Sequence, residues 1–130
     1  MDELTALRRL RERLAGVDAL RLLVLHGSRA GGEPRVDSDW DLGYVASAPL
    51  DPGELHLWIS EALRTDAVDL VDLDRASALL RFRAARDGQP IIARPPVAWT
   101  RFVLEATHFW CDAGPVIERA HEELLAELAP

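Results

Sequence analysis

The sequence has 130 residues, with 15 basic against 22 acidic side chains and a formal charge of −7. A chain of this length buries roughly two thirds of its unfolded surface, so its core needs neither disulfides nor a structural metal. No apolar run approaches the ~20 residues of a membrane span, and the single cysteine, Cys111, rules out an internal disulfide or a zinc ribbon. The start Met1-Asp2-Glu3-Leu4 lacks the basic region of a secretory signal, so a cytoplasmic protein with no membrane contact is expected. The acidic balance argues against nonspecific attraction to nucleic acid phosphates.

Leu4, Leu7, Leu10 and Leu14 recur at helical spacing ahead of Gly16, which predicts an amphipathic helix over residues 2–15. Leu20 to His26 is a nearly continuous apolar run, the pattern of a buried strand. It ends at Gly27-Ser28, and Gly31-Gly32 and Pro34 keep the next stretch of chain loop-like. A second strand is expected over residues 39–46. Asp51-Pro52-Gly53-Glu54 then supplies a cap, a proline at the first helical position and a glutamate three residues after the cap. The helix it opens carries the apolar stripe Leu55, Trp58, Ile59, Ala62 and Leu63.

Residues 67–73 predict a third strand, Asp74 the cap of a helix running to Gly88, and residues 90–93 a short fourth strand. Pro95-Pro96 opens a last helical region to about residue 128, broken or kinked at Gly114-Pro115. Strands alternating with helices indicate an α/β (α+β) architecture with one mixed sheet flanked by helices. Nothing in the composition divides the chain, so a single domain is expected over residues 1–130, with a C-terminal helical segment at about 96–129.

The chemistry concentrates in Gly27-Ser28 and in Asp39-Trp40-Asp41. Side chains alternate along a strand, so Asp39 and Asp41 share one face, about 7 Å apart along the chain. Carboxylates held that close repel unless a cation sits between them. An oxygen-rich pair of this kind suits Mg²⁺, which keeps several waters and shares phosphate oxygens of a substrate. Gly27-Ser28, at the end of a buried strand, offers exposed backbone N–H groups and a hydroxyl as a phosphate cradle. Together these are the parts of two-metal phosphoryl or nucleotidyl transfer. Asp69 and Asp72 are the candidates for a third carboxylate; they lie on opposite strand faces, and Asp69, flanked by apolar residues, most needs a charge partner.

Gly27-Ser28, ten intervening residues and then Asp39-Trp40-Asp41 resemble the Gly-Ser-x10-Asp-x-Asp signature of minimal nucleotidyltransferases of the DNA polymerase β superfamily. Gly-Ser-Arg-Ala, Ser-Asp-Trp-Asp-Leu and the later Val-Asp-Leu-Val-Asp-Leu resemble the antitoxin branch of that family, over a motif core at about residues 20–95. The resemblance implies Mg²⁺-dependent use of ATP, with two ions, and transfer of AMP to a tyrosine hydroxyl of a HEPN-domain ribonuclease toxin, with which the protein would form a hetero-oligomer. It assigns the triphosphate to Gly27 and Ser28 and Mg²⁺ to Asp39 and Asp41. Asp69 would complete the metal site and help deprotonate the acceptor. The family often has Phe before the Gly-Ser pair and Arg after Gly-Ser-Arg-Ala, where this sequence has His26 and Gly31; Arg29 and Arg35 remain for phosphate. Two alternatives stay open: an antitoxin that neutralises by binding alone, and a transferase with a small-molecule acceptor.

Competing motifs fail. An EF-hand starting at Asp37 needs Gly where Leu42 stands and Glu where Ala48 stands, and no Gly-Lys-Ser/Thr follows the glycines as a P-loop requires. Of the remaining residues, His26 reads as a packing or supporting residue, His56 as helix surface, and Cys111 as a small core hydrophobe. Trp58 and Trp99 read as core anchors, and Trp40 as packing on the face opposite Asp39 and Asp41. Between Arg75 and Arg101 there are six arginines and one acid, Asp87. Arg81, Arg83 and Arg86 are expected to solvate a helix face, or else to dock an acidic partner, with Arg94 or Arg101 in reach of phosphate. Phe102, Phe109 and Trp110 fall at helical spacing, as core or as interface.

Overall fold

The apolar run forms strand β1, Leu20–His26, in a computed structural model that describes residues 1–30 and 39–128 (backbone alone at 114 and 117). Burial of Leu22 and Val24 on one side and Leu23 and Leu25 on the other explains why this strand reads as continuous rather than alternating. Three more strands complete a mixed sheet of order β3-β2-β1-β4: β2 (Trp40–Ala46), β3 (Val68–Asp72) and β4 (Gln89–Ala93). β2 and β4 run antiparallel to β1, and β3 runs parallel to β2.

Helices α1 (Glu3–Leu14) and α2 (Pro52–Leu63) cover one face, packing Leu10, Leu14, Leu55 and Ile59 on Leu23, Leu25, Trp40 and Leu42. Helices α3 (Ala78–Asp87) and α4 (Val97–Leu128) cover the other, packing Ala84, Phe102 and Ala106 on Leu22 and Val24. Both helices of the first pair begin at carboxylate caps: Asp2 accepts from the Thr5 N–H at 2.8 Å, and Asp51 from the Gly53 N–H at 2.8 Å. Among the described residues no helix is long and apolar enough to cross a membrane.

Several expectations are corrected. The N-cap of α3 is Ser77, which accepts from the Leu80 N–H at 3.2 Å; Asp74 instead lies in the turn that ends β3, its N–H donating to the Asp72 carboxylate. α4 is not broken at Gly114-Pro115 but runs from Val97 to Leu128 with Pro115 inside it, on an exposed stretch of the helix. His56 is half-buried and ties α2 to β3: its Nε2 donates to the Val68 carbonyl at 3.0 Å, and Nδ1 accepts from the Ser60 hydroxyl at 3.4 Å. Cys111 is exposed, because α4 has by then outrun the sheet.

Trp58 and Trp99 are only half-buried, Trp99 stacking on Phe102 at 5.8 Å. Phe102 is core, Trp110 stacks on Phe82 at 5.6 Å, and Phe109 is exposed. Trp40 packs in the α1/α2 core, as expected. Gly31, Gly32, Pro34, Arg35 and Asp37 lie outside the described residues.

Arg94 does not reach for phosphate. Its guanidinium donates to the carbonyls of Leu14 at 2.9 Å and Val17 at 3.0 Å, closing the C-terminal end of α1 against β4. A cation on terminal carbonyls also complements the helix dipole. Arg94→Ala is expected to lower unfolding free energy by about 1–3 kcal/mol, by leaving these part-buried carbonyls without their donor. Urea denaturation checks it: the midpoint falls while the slope holds.

Candidate active site

The strands meet so that the C-terminal end of β1 and the N-terminal ends of β2 and β3 share one edge of the sheet. His26 pairs with Asp41 across the antiparallel ladder, and Asp41 with Asp69 across the parallel one. In-register neighbours lie about 4.8 Å apart and point to the same face, so the Asp41 and Asp69 carboxylates stand side by side. Asp39 sits exposed immediately ahead of β2. Asp69 is exposed too, so its presence does not answer a burial cost; its apolar neighbours Val68 and Leu70 face the α1/α2 core. Asp72 is drawn elsewhere, pairing with Tyr44 in register and accepting from the Asp74 N–H at 3.0 Å. Of the two acids left open by the sequence, the structure brings Asp69 to Asp41.

After β1 the chain makes a single 3₁₀ turn, Gly27–Arg29. Gly27 has φ +69°, and a methyl group there would collide with the Asp41 carboxylate. The turn therefore lies directly on the acid, with Ser28 exposed beside it. Arg29, at the end of the same turn, has its guanidinium 4.1 Å over the ring of Trp40, a residue of the α1/α2 core.

Partial burial raises the Asp41 pKa above its ordinary value; His26 pulls it back, while Asp69 and Asp39 push it further up. The His26 imidazole is shifted down by burial, opposed by Asp41 and Asp69. Its Nε2 is buried without a hydrogen-bond partner among the described residues, beside the carboxylates.

Among the described residues no three His, Cys, Asp or Glu side chains close up as a ready-made metal cage. Mg²⁺ does not demand one, since it binds through one or two carboxylates, waters and the phosphates of a substrate. The donors are all hard oxygens, and partial burial, with Asp69 and Asp39 adding to it, disfavours the ionised form of Asp41 until a cation offsets it. That set fits a hard divalent cation.

Residues 8–96 match the model of the family described as Polymerase beta, Nucleotidyltransferase, and the chain belongs to that family. It is 29% identical to the protein adenylyltransferase MntA of Aphanizomenon flos-aquae (strain 2012/KM1/D3), over 78% of each chain. It matches a chain of a crystal structure described as a toxin–antitoxin with AMP-PNP at a TM-score of 0.68 and 25% identity, covering 88% of this chain and 98% of that one. The same fold recurs in the structure of a tri-AMPylated Shewanella oneidensis HEPN toxin in complex with an MNT antitoxin, at a TM-score of 0.57 and 24% identity, covering 93% and 99%.

The raised pKa of Asp41, from its burial first and its acidic neighbours second, has a measurable sign. A raised folded-state pKa means that ionising Asp41 opposes folding, fully above that pKa and not at all below the ordinary value of 3.8. In chelator, Asp41→Asn is expected to melt higher than the wild type at neutral pH, with the gap closing below about pH 4. Thermal melts by circular dichroism across pH check this, and an equal or lower Tm for the variant at neutral pH contradicts it.

Proposed function

We propose that this protein transfers AMP from ATP to a tyrosine hydroxyl of a HEPN-domain ribonuclease toxin and, in the cytoplasm, acts as the antitoxin of that pair. The observation that carries the reading is the in-register pairing of Asp41 with Asp69, with the Gly27 turn lying on Asp41. Membership of the nucleotidyltransferase family supports it, as does the likeness to an MntA named for protein adenylylation and to a toxin–antitoxin carrying AMP-PNP.

In this reading Gly27 and Ser28 receive the triphosphate through backbone N–H groups and the Ser28 hydroxyl. Asp39, Asp41 and Asp69 would hold two Mg²⁺ ions, which supply charge neutralisation at the attacking and leaving oxygens. The tyrosine oxygen bonds to the α-phosphorus, the α–β bridging P–O bond breaks, and pyrophosphate leaves. Asp69 takes the hydroxyl proton, and its exposure lets that proton pass on to water. His26, paired with Asp41 across the ladder, would support that carboxylate.

The purified protein, its toxin partner and α-labelled ATP test the reading. Wild type is expected to label the toxin, Asp39→Ala and Asp41→Ala to leave it unlabelled, and Asp69→Ala to slow labelling by about 10²–10⁴-fold. Labelling by either of the first two variants at the wild-type rate overturns the assignment. Recovery of ribonuclease activity once the two proteins are separated would show masking by contact instead of modification.

A further inference from the structure

On the face covered by α3 and α4, the end opposite Asp41 holds a cavity of about 370 Å³. Its floor is Leu22 and Val45, paired across β1 and β2, and Phe102 of α4 forms a wall. Leu22 and His26 are four residues apart on β1, so the floor lies about 13 Å from the carboxylate end. The two places are separate.

Four arginines line this cavity, Arg21, Arg81, Arg94 and Arg101, against two carboxylates, Asp74 and Glu105. With the Arg94 guanidinium turned to the end of α1, the other three arginines leave an excess of one positive charge over Asp74 and Glu105. Arg94 is committed to the carbonyls of Leu14 and Val17, and Arg21 gives one N–H to the Arg94 carbonyl at 3.3 Å. Arg81 is not the solvated residue its helix position predicts. It is half-buried with its guanidinium 5.6 Å from the Phe102 ring centre, and its Nε is buried with no hydrogen-bond partner among the described residues. The ion pairs among the described residues lie elsewhere, at Arg13–Glu61, Arg75–Asp72 and Arg86–Asp87, so Arg81 and Arg101 are not neutralised by Asp74 or Glu105. Arg81 and Arg101 therefore bring positive charge to the cavity that no carboxylate of its lining pairs.

We propose that this cavity is a second binding site, for a phosphomonoester with a hydroxylated organic body. Its phosphate lies on Arg81 and Arg101, and its body lies against Phe102 with hydroxyls donating to Asp74 and Glu105. Planar guanidinium forks match phosphate oxygens, and a phosphomonoester at neutral pH carries about −1.5 to −2, opposite in sign to the lining. A water claims about 30 Å³, so a bare phosphate ion would leave most of the space to solvent; the apolar floor favours an organic group there. Two carboxylates that would repel a bare anion become acceptors for sugar hydroxyls. Sugar phosphates and nucleotides share this chemistry.

Titration of the full chain with ribose 5-phosphate, AMP and inorganic phosphate, followed by amide chemical shifts and calorimetry, tests the proposal. Ribose 5-phosphate is expected to shift the amides of Leu22, Val45 and Ala98. Arg101→Gln, an exposed change that leaves the fold alone, should weaken it at least about tenfold. Arg81→Gln should do the same, with a thermal melt to confirm folding. Tighter binding of AMP with the same loss in Arg101→Gln identifies a nucleotide; equal binding identifies a sugar phosphate. The proposal is overturned by absence of shifts at millimolar ligand, by binding indifferent to Arg101→Gln, or by inorganic phosphate binding as tightly as ribose 5-phosphate.

Discussion

Gly27 lies against the Asp41 carboxylate because it has no side chain to keep the two apart, and its positive φ is one that other residues rarely adopt. That contact lies where β1 ends at His26 and sets the turn against the first residues of β2. From there the ladders do the rest: antiparallel pairing brings His26 to Asp41, and parallel pairing brings Asp69. Two unit charges about 4 Å apart repel by roughly 1 kcal/mol in a water-like dielectric. A fully buried leucine contributes roughly 1.5–3 kcal/mol, and Leu23, Leu25 and Leu42, beside the site, are all fully buried. The hydrophobic strands therefore hold the acids together against their repulsion. Such a site opposes stability locally while the core supplies it.

The two faces of the sheet are closed in different ways. On the α1/α2 face, arginines serve the main chain: Arg9 donates to the Ala62 carbonyl at 2.8 Å, Arg11 to Ile91 at 3.0 Å, and Arg94 to the end of α1. These side chains count in the formal charge yet act as cross-links between elements. On the α3/α4 face, Gly43 leaves room for Leu73, whose side chain would lie 2.7 Å from any Cβ at that position. The middle of this face is thereby sealed by small contacts, Ala84 and Ala106 among them, and its two ends stay accessible.

Much of this was legible where the determinant is local. Alternation along β2 puts Asp41 on the face opposite Trp40 and Leu42, and the spacing from Gly27-Ser28 is a property of the chain alone, whereas Asp39 falls just ahead of the strand. The choice between Asp69 and Asp72 was not legible, because it depends on β3 running parallel to β2 in one register, and a shift of one residue reverses the faces. Arg94 looked free for the same reason: its partners lie 77 and 80 residues earlier. Asp74 and Ser77 are both good helix caps; the Asp72 carboxylate settles the matter by engaging the Asp74 N–H. Cys111 and Phe109 carry core-like side chains on a helix of 32 residues, about 48 Å long, which continues well past the sheet. No residue-level preference reports where a helix leaves its support.

The net charge of −7 also takes on a spatial meaning. One end of the α3/α4 face gathers carboxylates and the other gathers arginines, although both sit on the same pair of strands. Their separation along β1 is about 13 Å, more than the ~8 Å Debye length of physiological salt. Interactions between exposed charges at that range are largely screened, so neither end substantially neutralises the other. An acidic chain can thus present a positive cavity without contradiction, because each end is governed by its own neighbours and not by the total. The same screening keeps the arginines of the cavity from relieving the crowded carboxylates, which a cation brought to that end would offset.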